Sequence, residues 1–496
     1  MTLNLTDYRN RSLGCWMGKN IGGTIGAPME WIRQMNDVSF YTQDYNGEPL
    51  PNDDLDLQLL WLIAMEEKGI DIDASTLGEY WLLYITPHWV EYGNAKTNMR
   101  SGLMPPLSGM INNPHQHSNG AWIRSEIWAC IAPGHPAFAA KYAYEDAVVD
   151  HGNGEGTNAA MFCAALESAA FAESDTYKLI DIGLSYIPED CGTAKAVKCV
   201  IDSYKSGKTW QEARHELYEK HRGHYWAYFG ISDEERAKGF ADGEIGWDAP
   251  LNIGIIIIGW LYGKGDFGDS MCITVNCGED TDCTAATLGS IFGIIHGFDA
   301  IPKKWIEPIG RGIQTMCLNH GELGTTPGSP GQIPTNIDNL AERVEKIMKQ
   351  VAARHFPHME LTENASTDLS GMKTDKPSMI PAPGPKFSFP FYDIYVDYVN
   401  SPYIKSGEMK NVKIIIKNNY KINESINIKV YADKKWIVTP SKTGKIFAQG
   451  TTEVQLGFQH KKVIPGGINR FVLEMTTDGK HSVMLVPIAL LNGDLQ

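Results

Sequence analysis

Among the 496 residues, no apolar run approaches the roughly 18–20 residues that a bilayer-spanning helix needs. The longest, Ile253 to Gly263 (IGIIIIGWLYG), reads as a buried core helix, and no membrane partner is expected. The opening residues, Met1-Thr-Leu-Asn-Leu-Thr-Asp-Tyr-Arg9, lack the basic stretch and apolar core of a secretory signal. Positive charge is also short, with 44 Lys and Arg against 59 Asp and Glu and a net charge of −15. A nucleic-acid surface must neutralise phosphates with Lys and Arg, so DNA and RNA are not expected partners. CxxC pairs are missing. The nine cysteines, at 15, 130, 163, 191, 199, 272, 277, 283 and 317, form neither a disulfide framework nor a structural zinc site. Reduced, buried thiols and a cytoplasmic location are expected.

What is present is 43% hydrophobic residues and 13 Trp, enough to build a sizeable core. Phe387 to Gln496 carry 14 Lys and Arg against 9 Asp and Glu, a net +5, which leaves −20 for residues 1–386. From residue 10 to about 350 the apolar residues recur with helical spacing, as in Leu55, Leu59, Leu62, Ile63 and in Leu340, Val344, Ile347, Val351. Five prolines (357, 377, 381, 383, 385) among polar residues mark a linker over 356–386. Seven short β-type runs follow, beginning Tyr392-Asp-Ile-Tyr-Val and ending Ser482-Val-Met-Leu-Val. The expected architecture is multidomain: a large all-α domain over 1–355, the linker, and a small all-β immunoglobulin-like sandwich over 387–496.

Two acidic clusters each open a helix. In Pro51-Asn52-Asp53-Asp54-Leu55 the aspartates fall in a first turn, where they could simply offset the helix dipole. In Gly278-Glu279-Asp280-Thr281-Asp282-Cys283 three acids crowd the mouth of a helix whose Ala285, Gly289, Gly293 and Gly297 form a smooth stripe. Such a helix is deeply buried, and three acids at its mouth repel one another unless a cation compensates them. Asp53, Asp54, Asp280 and Asp282 together offer hard oxygens suited to two divalent cations, Mg²⁺ first and Mn²⁺ second. Pattern alone does not show that the clusters meet.

These motifs resemble those of the ADP-ribosylglycohydrolases over roughly residues 8 to 350. Gly14-Cys-Trp-Met-Gly18-Lys-Asn-Ile-Gly22-Gly-Thr-Ile-Gly26-Ala-Pro28-Met-Glu30 is similar to the family's glycine-rich first helix ending in Gly-x-Pro-x-Glu. Asn52-Asp53-Asp54 resembles its Thr-Asp-Asp motif, and Gly278-Glu-Asp280-Thr-Asp282-Cys283 its Gly-x-Asp-x-Asp-Thr. Asp150-His151-Gly152-Asn153-Gly154-Glu155-Gly156 resembles the substrate loop. The resemblance implies an all-α domain with a binuclear metal centre that hydrolyses the C1″ bond joining ADP-ribose to an acceptor. Asn52, Asp53, Asp54, Asp280, Asp282 and Cys283 would surround the metals; Glu30 and Asp54 would be catalytic. Glu30 would act as a general base on water or as a charge stabilising an oxocarbenium-like transition state. Arg124, His151, Gly152, Asn153 and Gly156 would bind substrate, with loop N–H groups meeting a pyrophosphate.

Three departures bear on the metal shell. Asn52 stands where the family has Thr, Cys283 where it has Thr or Ser, and Gly23 where many members have Asp. A soft thiol is a poor Mg²⁺ ligand, so one of the two metal positions is expected to be altered. His115-Gln-His117 in a Pro, Asn and Ser loop reads as surface or as a ligand pair, and Trp122 as core or as a base-stacking platform. The expected partner is an ADP-ribosylated protein or a small nucleotide sugar, and the β-domain is expected to bind carbohydrate or protein or to brace the rest. The alternatives are hydrolysis of another ribosyl or sugar glycoside, or a non-catalytic ligand-binding relative.

Overall fold

The computed structural model describes all residues except 31–33, 222–246, 325–332, 375–382, 440–442, 461, 481 and 496. Two compact units emerge. One comprises Met1–Asn94 and Asn112–Met379; the other comprises Ala95–Ile111 and Ile380–Gln496. The first is helical, as the 3.6-residue spacing requires, and the second is a sandwich of short strands.

The helical unit is organised around α1 (Leu5–Gly26), α2 (Asp53–Lys68), α3 (Glu155–Ala170) and α4 (Thr281–His296). Asn4 starts α1 by accepting from the N–H groups of Thr6 and Asp7, and Asn52 starts α2 in the same way at Asp54. Nearly every residue of α2 from Asp54 to Met65 is buried, which explains an apolar run with so few polar interruptions. The contact between α1 and α4 is the tightest in the unit. A Cβ on Gly14, Gly18, Gly22 or Gly26 would overlap backbone at Gly293, Gly289, Ala285 or Thr281 respectively. The pairs run antiparallel in steps of four residues, so two smooth ridges meet with backbone against backbone. The sequence-level stripe on α4 thus has its counterpart in the glycines of α1.

The sandwich holds two sheets. Strands β3 (Lys386–Ser388), β4 (Tyr392–Asp397), β6 (Lys410–Asn418), β10 (Thr451–His460) and β8 (Trp436–Val438) form one, in that order. Strands β5 (Tyr403–Ile404), β12 (Val483–Asn492), β11 (Ile468–Thr477), β7 (Glu424–Tyr431) and β9 (Thr443–Ile446) form the other. Alternate residues face the core, as with Val412, Ile414 and Ile416 on β6 and Phe471, Leu473 and Met475 on β11. All seven expected strands are present. Three very short ones, β3, β5 and β9, had no apolar alternation long enough to be read.

The boundaries differ from those expected in two places. Leu103 and Leu107, within the span assigned to the helical domain, lie in the sandwich core. The expected linker over 356–386 opens with β2 (Glu360–Thr362), which pairs in parallel with β1 (Thr2–Asn4), and Asp368 exchanges backbone hydrogen bonds with Thr2. Proline density marked the segment as irregular, but backbone pairing ties its first part to the helical unit.

The α1–α4 contact leaves no room for a side chain, so Gly18→Val should lower stability by at least ~2 kcal/mol through overpacking. The exposed Gly321, whose added Cβ would come no closer than 3.7 Å to any neighbour, is the control, and Gly321→Ala should be near neutral. Urea denaturation followed by tryptophan fluorescence would compare the two midpoints.

Candidate active site

Because α1 and α4 run antiparallel in this register, the C-terminus of one lies at the N-terminus of the other. The 3₁₀ turn Ala27–Met29 continues α1 and leads to Glu30, while Asp280 caps α4 and Asp282 sits in its first turn. Glu30, Asp280 and Asp282 consequently offer oxygens that all lie within 4.8 Å of one another. A second set, Asp54, Asp282 and Cys283, meets the same criterion and shares Asp282. The two acidic clusters, more than 220 residues apart in sequence, therefore converge. They line one wall of a cleft of about 430 Å³ whose other walls include Trp89, Glu91, Tyr92, Asn119, Trp247 and Met316.

The electrostatics of this wall are unfavourable for the protein alone. Burial, with Glu30 adding to it, pushes the Asp280 carboxyl up to about 7. Burial also raises Asp282 and Asp54 well above the carboxylate range, and it raises Asp53 against the opposing hydrogen bond from Tyr92. Asp280 Oδ1 and Asp282 Oδ1 are buried and accept no hydrogen bond, whereas Asp54 Oδ2, equally without one, lies 3.4 Å from Lys19 Nζ. Buried carboxylate oxygens normally find a donor, so a set without one fits a hard divalent cation. The remaining oxygens are held in place: Asn119 Nδ2 donates to Asp280 Oδ2 at 2.6 Å, and Tyr92 Oη donates to Asp53 Oδ2 at 3.0 Å. Trp122 Nε1 in turn donates to Asn119 Oδ1 at 2.9 Å, which settles that tryptophan in a supporting place in the core.

The sequence departures acquire physical content. Asn52 Oδ1 accepts from Asp54 N at 2.8 Å as a helix cap, and its buried Nδ2 lies where a Cβ at Gly23 would have to go. An aspartate at 23 could not coexist with this Asn52 rotamer. Cys283 Sγ donates to Asp54 Oδ1 at 3.2 Å, and burial, with four aspartates nearby, holds the thiol well above its usual range. Cys283, one of the expected metal ligands, thus hydrogen-bonds a carboxylate here, and its Sγ also stands with Asp54 and Asp282 in a set that could hold an ion.

With this geometry in view, comparison with known proteins is decisive for the family. The family model for ADP-ribosylglycohydrolase matches residues 4–346. The chain belongs to that family. The ADP-ribosyl-[dinitrogen reductase] glycohydrolase of Rhodospirillum rubrum is 21% identical over 318 residues, covering 62% of this chain and 92% of that protein. ADP-ribosylarginine hydrolase Tri1 of Serratia proteamaculans (strain 568) is 35% identical over 49 residues, so the match spans 10% of this chain and only 13% of that protein. A solved ADP-ribosylglycohydrolase-related protein complex aligns at 17% identity with a TM-score of 0.41, covering 69% of this chain and 99% of that one.

The residues expected to bind substrate are found elsewhere than on the cleft wall. Arg124 is fully buried, donating to Asp146 at 2.9 Å, to Asp150 at 2.7 and 3.1 Å, and to the Gly120 carbonyl. Its guanidinium is engaged inside the domain by Asp146 and Asp150. His151 is equally buried, with Nδ1 at 2.9 Å from Asp150 Oδ1 and Nε2 at 3.0 Å from Ser118 Oγ. In the 152–156 loop, Gly152 adopts φ +53, Asn153 is exposed, and a Cβ on Gly156 would overlap the His151 ring. The N–H groups of Gly154, Glu155 and Gly156 bond to His151 O, His117 Nδ1 and Gln116 O. An anion cradle is therefore not formed by them; the glycines serve close packing of the loop onto the 115–118 segment.

Sequence reading missed Lys19, Asn119, Glu91 and Tyr92. Lys19 had a visible signal, a lone cation among Trp16, Met17 and Ile21 on a helix of small residues. The others had none at the level of pattern. Glu91 is a buried cleft acid pushed up to about 7 by burial, with His151 opposing. Beside it Val90 stands at φ +33, a conformation costly for a β-branched residue and typical of functional sites.

Three outcomes follow for solution measurements. Arg124→Ala should cost about 3–5 kcal/mol of stability, since it strands two buried carboxylates; a stable variant with only a raised KM would restore the phosphate-binding role. Divalent-cation affinity should fall by up to about tenfold per pH unit below about 7, because a proton on Asp280 must leave before the metal binds. Without metal, the same raised carboxyl binds its proton more tightly in the folded than in the unfolded state. Apo-protein stability should then decrease as pH rises from about 4 towards 7. Calorimetric titration and thermal melts at pH 6 and 8 would check both signs.

Proposed function

We propose that the protein is a metal-dependent glycohydrolase that cleaves the C1″ glycosidic bond of an ADP-ribosylated protein or an ADP-ribose-like substrate. The observation that carries this reading is the convergence of Glu30 with Asp280 and Asp282, whose Oδ1 atoms are buried without a donor, on one cleft in a chain of this family. Mg²⁺ or Mn²⁺, when bound there, would supply positive charge to orient a ribose diol and a water molecule. Glu30 lines the cleft next to Asp280 and Asp282 and is the candidate to accept the proton of an attacking water or to stabilise a developing oxocarbenium charge. Asn119 and Tyr92 hold Asp280 and Asp53 so that their other oxygens stay turned to the ligand. Indole and phenol rings of Trp89, Trp247 and Tyr92 give the cleft the flat, partly apolar walls that a sugar face packs against.

The names of two relatives, an ADP-ribosylarginine hydrolase and a glycohydrolase acting on ADP-ribosyl-dinitrogen reductase, support arginine-linked ADP-ribose as the first substrate to try. We assign the protein to the cytoplasm on its nine free, buried cysteines, and no helix among the described residues is long and apolar enough to cross a membrane. The β-sandwich, which we class as immunoglobulin-like, is assigned to carbohydrate or protein binding.

Incubating the purified protein with arginine-, serine- and nucleic-acid-linked ADP-ribose conjugates and simple glycosides, with Mg²⁺, Mn²⁺ or EDTA, tests the reading. Product release should vanish with EDTA and with Asp280→Ala, and Glu30→Gln should lower kcat by about 10² or more. Turnover confined to simple glycosides would instead establish the other glycoside-hydrolase reading, and unchanged turnover in Asp280→Ala would sink the metal mechanism.

A further inference from the structure

The two overlapping ligand sets of the cleft wall are not equivalent. Asp280 Oδ1 and Asp282 Oδ1 of the outer set and Asp54 Oδ2 of the inner are all buried and accept no hydrogen bond, but among these three aspartates only Asp54 is ion-paired within the described residues. In the inner set, Asp54 meets protons supplied by the protein itself. Its Oδ1 accepts from the Cys283 thiol at 3.2 Å, and its Oδ2 lies 3.4 Å from Lys19 Nζ. Lys19 is 1% exposed, and its ammonium is fixed in place by the Ile123 carbonyl at 2.6 Å, Glu126 Oε1 at 2.7 Å and Thr287 Oγ1 at 3.3 Å. Asp54 and Glu126 are further tied together by Gln58, whose Nε2 donates to Asp54 O at 2.9 Å and to Glu126 Oε2 at 2.7 Å. A dication on Asp54 would therefore face an immobile ammonium. Among the described residues neither Asp280 nor Asp282 forms an ion pair with a Lys or Arg.

From this asymmetry, and resting on the metal-dependent reading above, we propose that the chain binds a single divalent cation, at Glu30, Asp280 and Asp282, and that the Lys19 ammonium takes the place of a second cation beside Asp54. Lys19 is then a positioning residue: it compensates Asp54 and Glu126 from within α1. It also accounts for the altered inner shell, where a thiol at 283 and a glycine at 23 offer no hard anionic oxygen. A soft thiol is tolerable there because it is not asked to ligate.

The test is the stoichiometry of Mn²⁺ on the full-length protein, read by equilibrium titration and by electron paramagnetic resonance. The wild type should bind one Mn²⁺ per chain with the spectrum of an isolated ion. Asp280→Asn should lose that ion, and Asp54→Asn should keep it. Lys19→Met combined with Glu126→Gln, which removes the ammonium without stranding Glu126, should raise the count to two and give an exchange-coupled pair. Two tight ions in the wild type, or one ion lost in Asp54→Asn and kept in Asp280→Asn, would overturn the proposal while leaving a metal-dependent enzyme intact. No bound Mn²⁺ at all would overturn it together with the metal-dependent reading. Should the double variant fail to fold, the wild-type count and the two isosteric aspartate variants decide the matter.

Discussion

Backbone contact between α1 and α4 is the constraint on which the cleft depends. Glycine or alanine at every fourth position removes the side chains that would otherwise hold two helices 8–10 Å apart. The gain is position rather than hydrophobic area, because the glycines themselves bury little apolar surface. Antiparallel registration then puts the end of α1 beside the start of α4 and delivers Glu30 to Asp280 and Asp282. Any slip by one helical turn would move Glu30 by about 5.4 Å and dissolve the cluster. The glycine ridge is therefore as much part of the site as the carboxylates are.

Close approach of this kind also concentrates charge. Three helix segments converge, two of them at their N-terminal ends, where partial positive charge favours anions but is too small to offset four or five buried carboxylates. The molecule divides the excess in two ways. Behind the wall, Lys19 and Gln58 stitch Asp54 to Glu126. In front, Asp280 and Asp282 keep oxygens without donors, and these raise their affinity for protons or metal. A descendant that had lost catalysis would gain stability by replacing those two residues with apolar or amide side chains. Their persistence in so dry a position is difficult to reconcile with a purely structural protein.

Much of this was legible in the chain. Helical spacing marked the large unit, period-two alternation marked seven strands, and acids placed before apolar runs marked both helix mouths. The spatial meeting of Asn52-Asp53-Asp54 with Asp280 and Asp282 was not, since no local pattern encodes a contact across more than 220 residues. Arg124, His151 and the 152–156 glycines illustrate a different limit. Their residue types suit phosphate binding, but Asp146, Asp150 and the 115–118 segment engage the Arg124 guanidinium, the His151 ring and the N–H groups of Glu155 and Gly156. Pattern identifies capacity, and only packing reveals whether a neighbour has already satisfied it.

That reassignment constrains what the cleft can receive. Among its described lining residues there is no Lys or Arg, while Glu30, Asp53, Glu91, Asp280 and Asp282 all face it. A diphosphate inside such walls would meet negative charge on several sides. A ribose would not: it is neutral, its vicinal hydroxyls suit a cation held by hard oxygens, and its faces suit aromatic rings. On the proposed reading, these described walls suit a sugar face beside Glu30, Asp280 and Asp282.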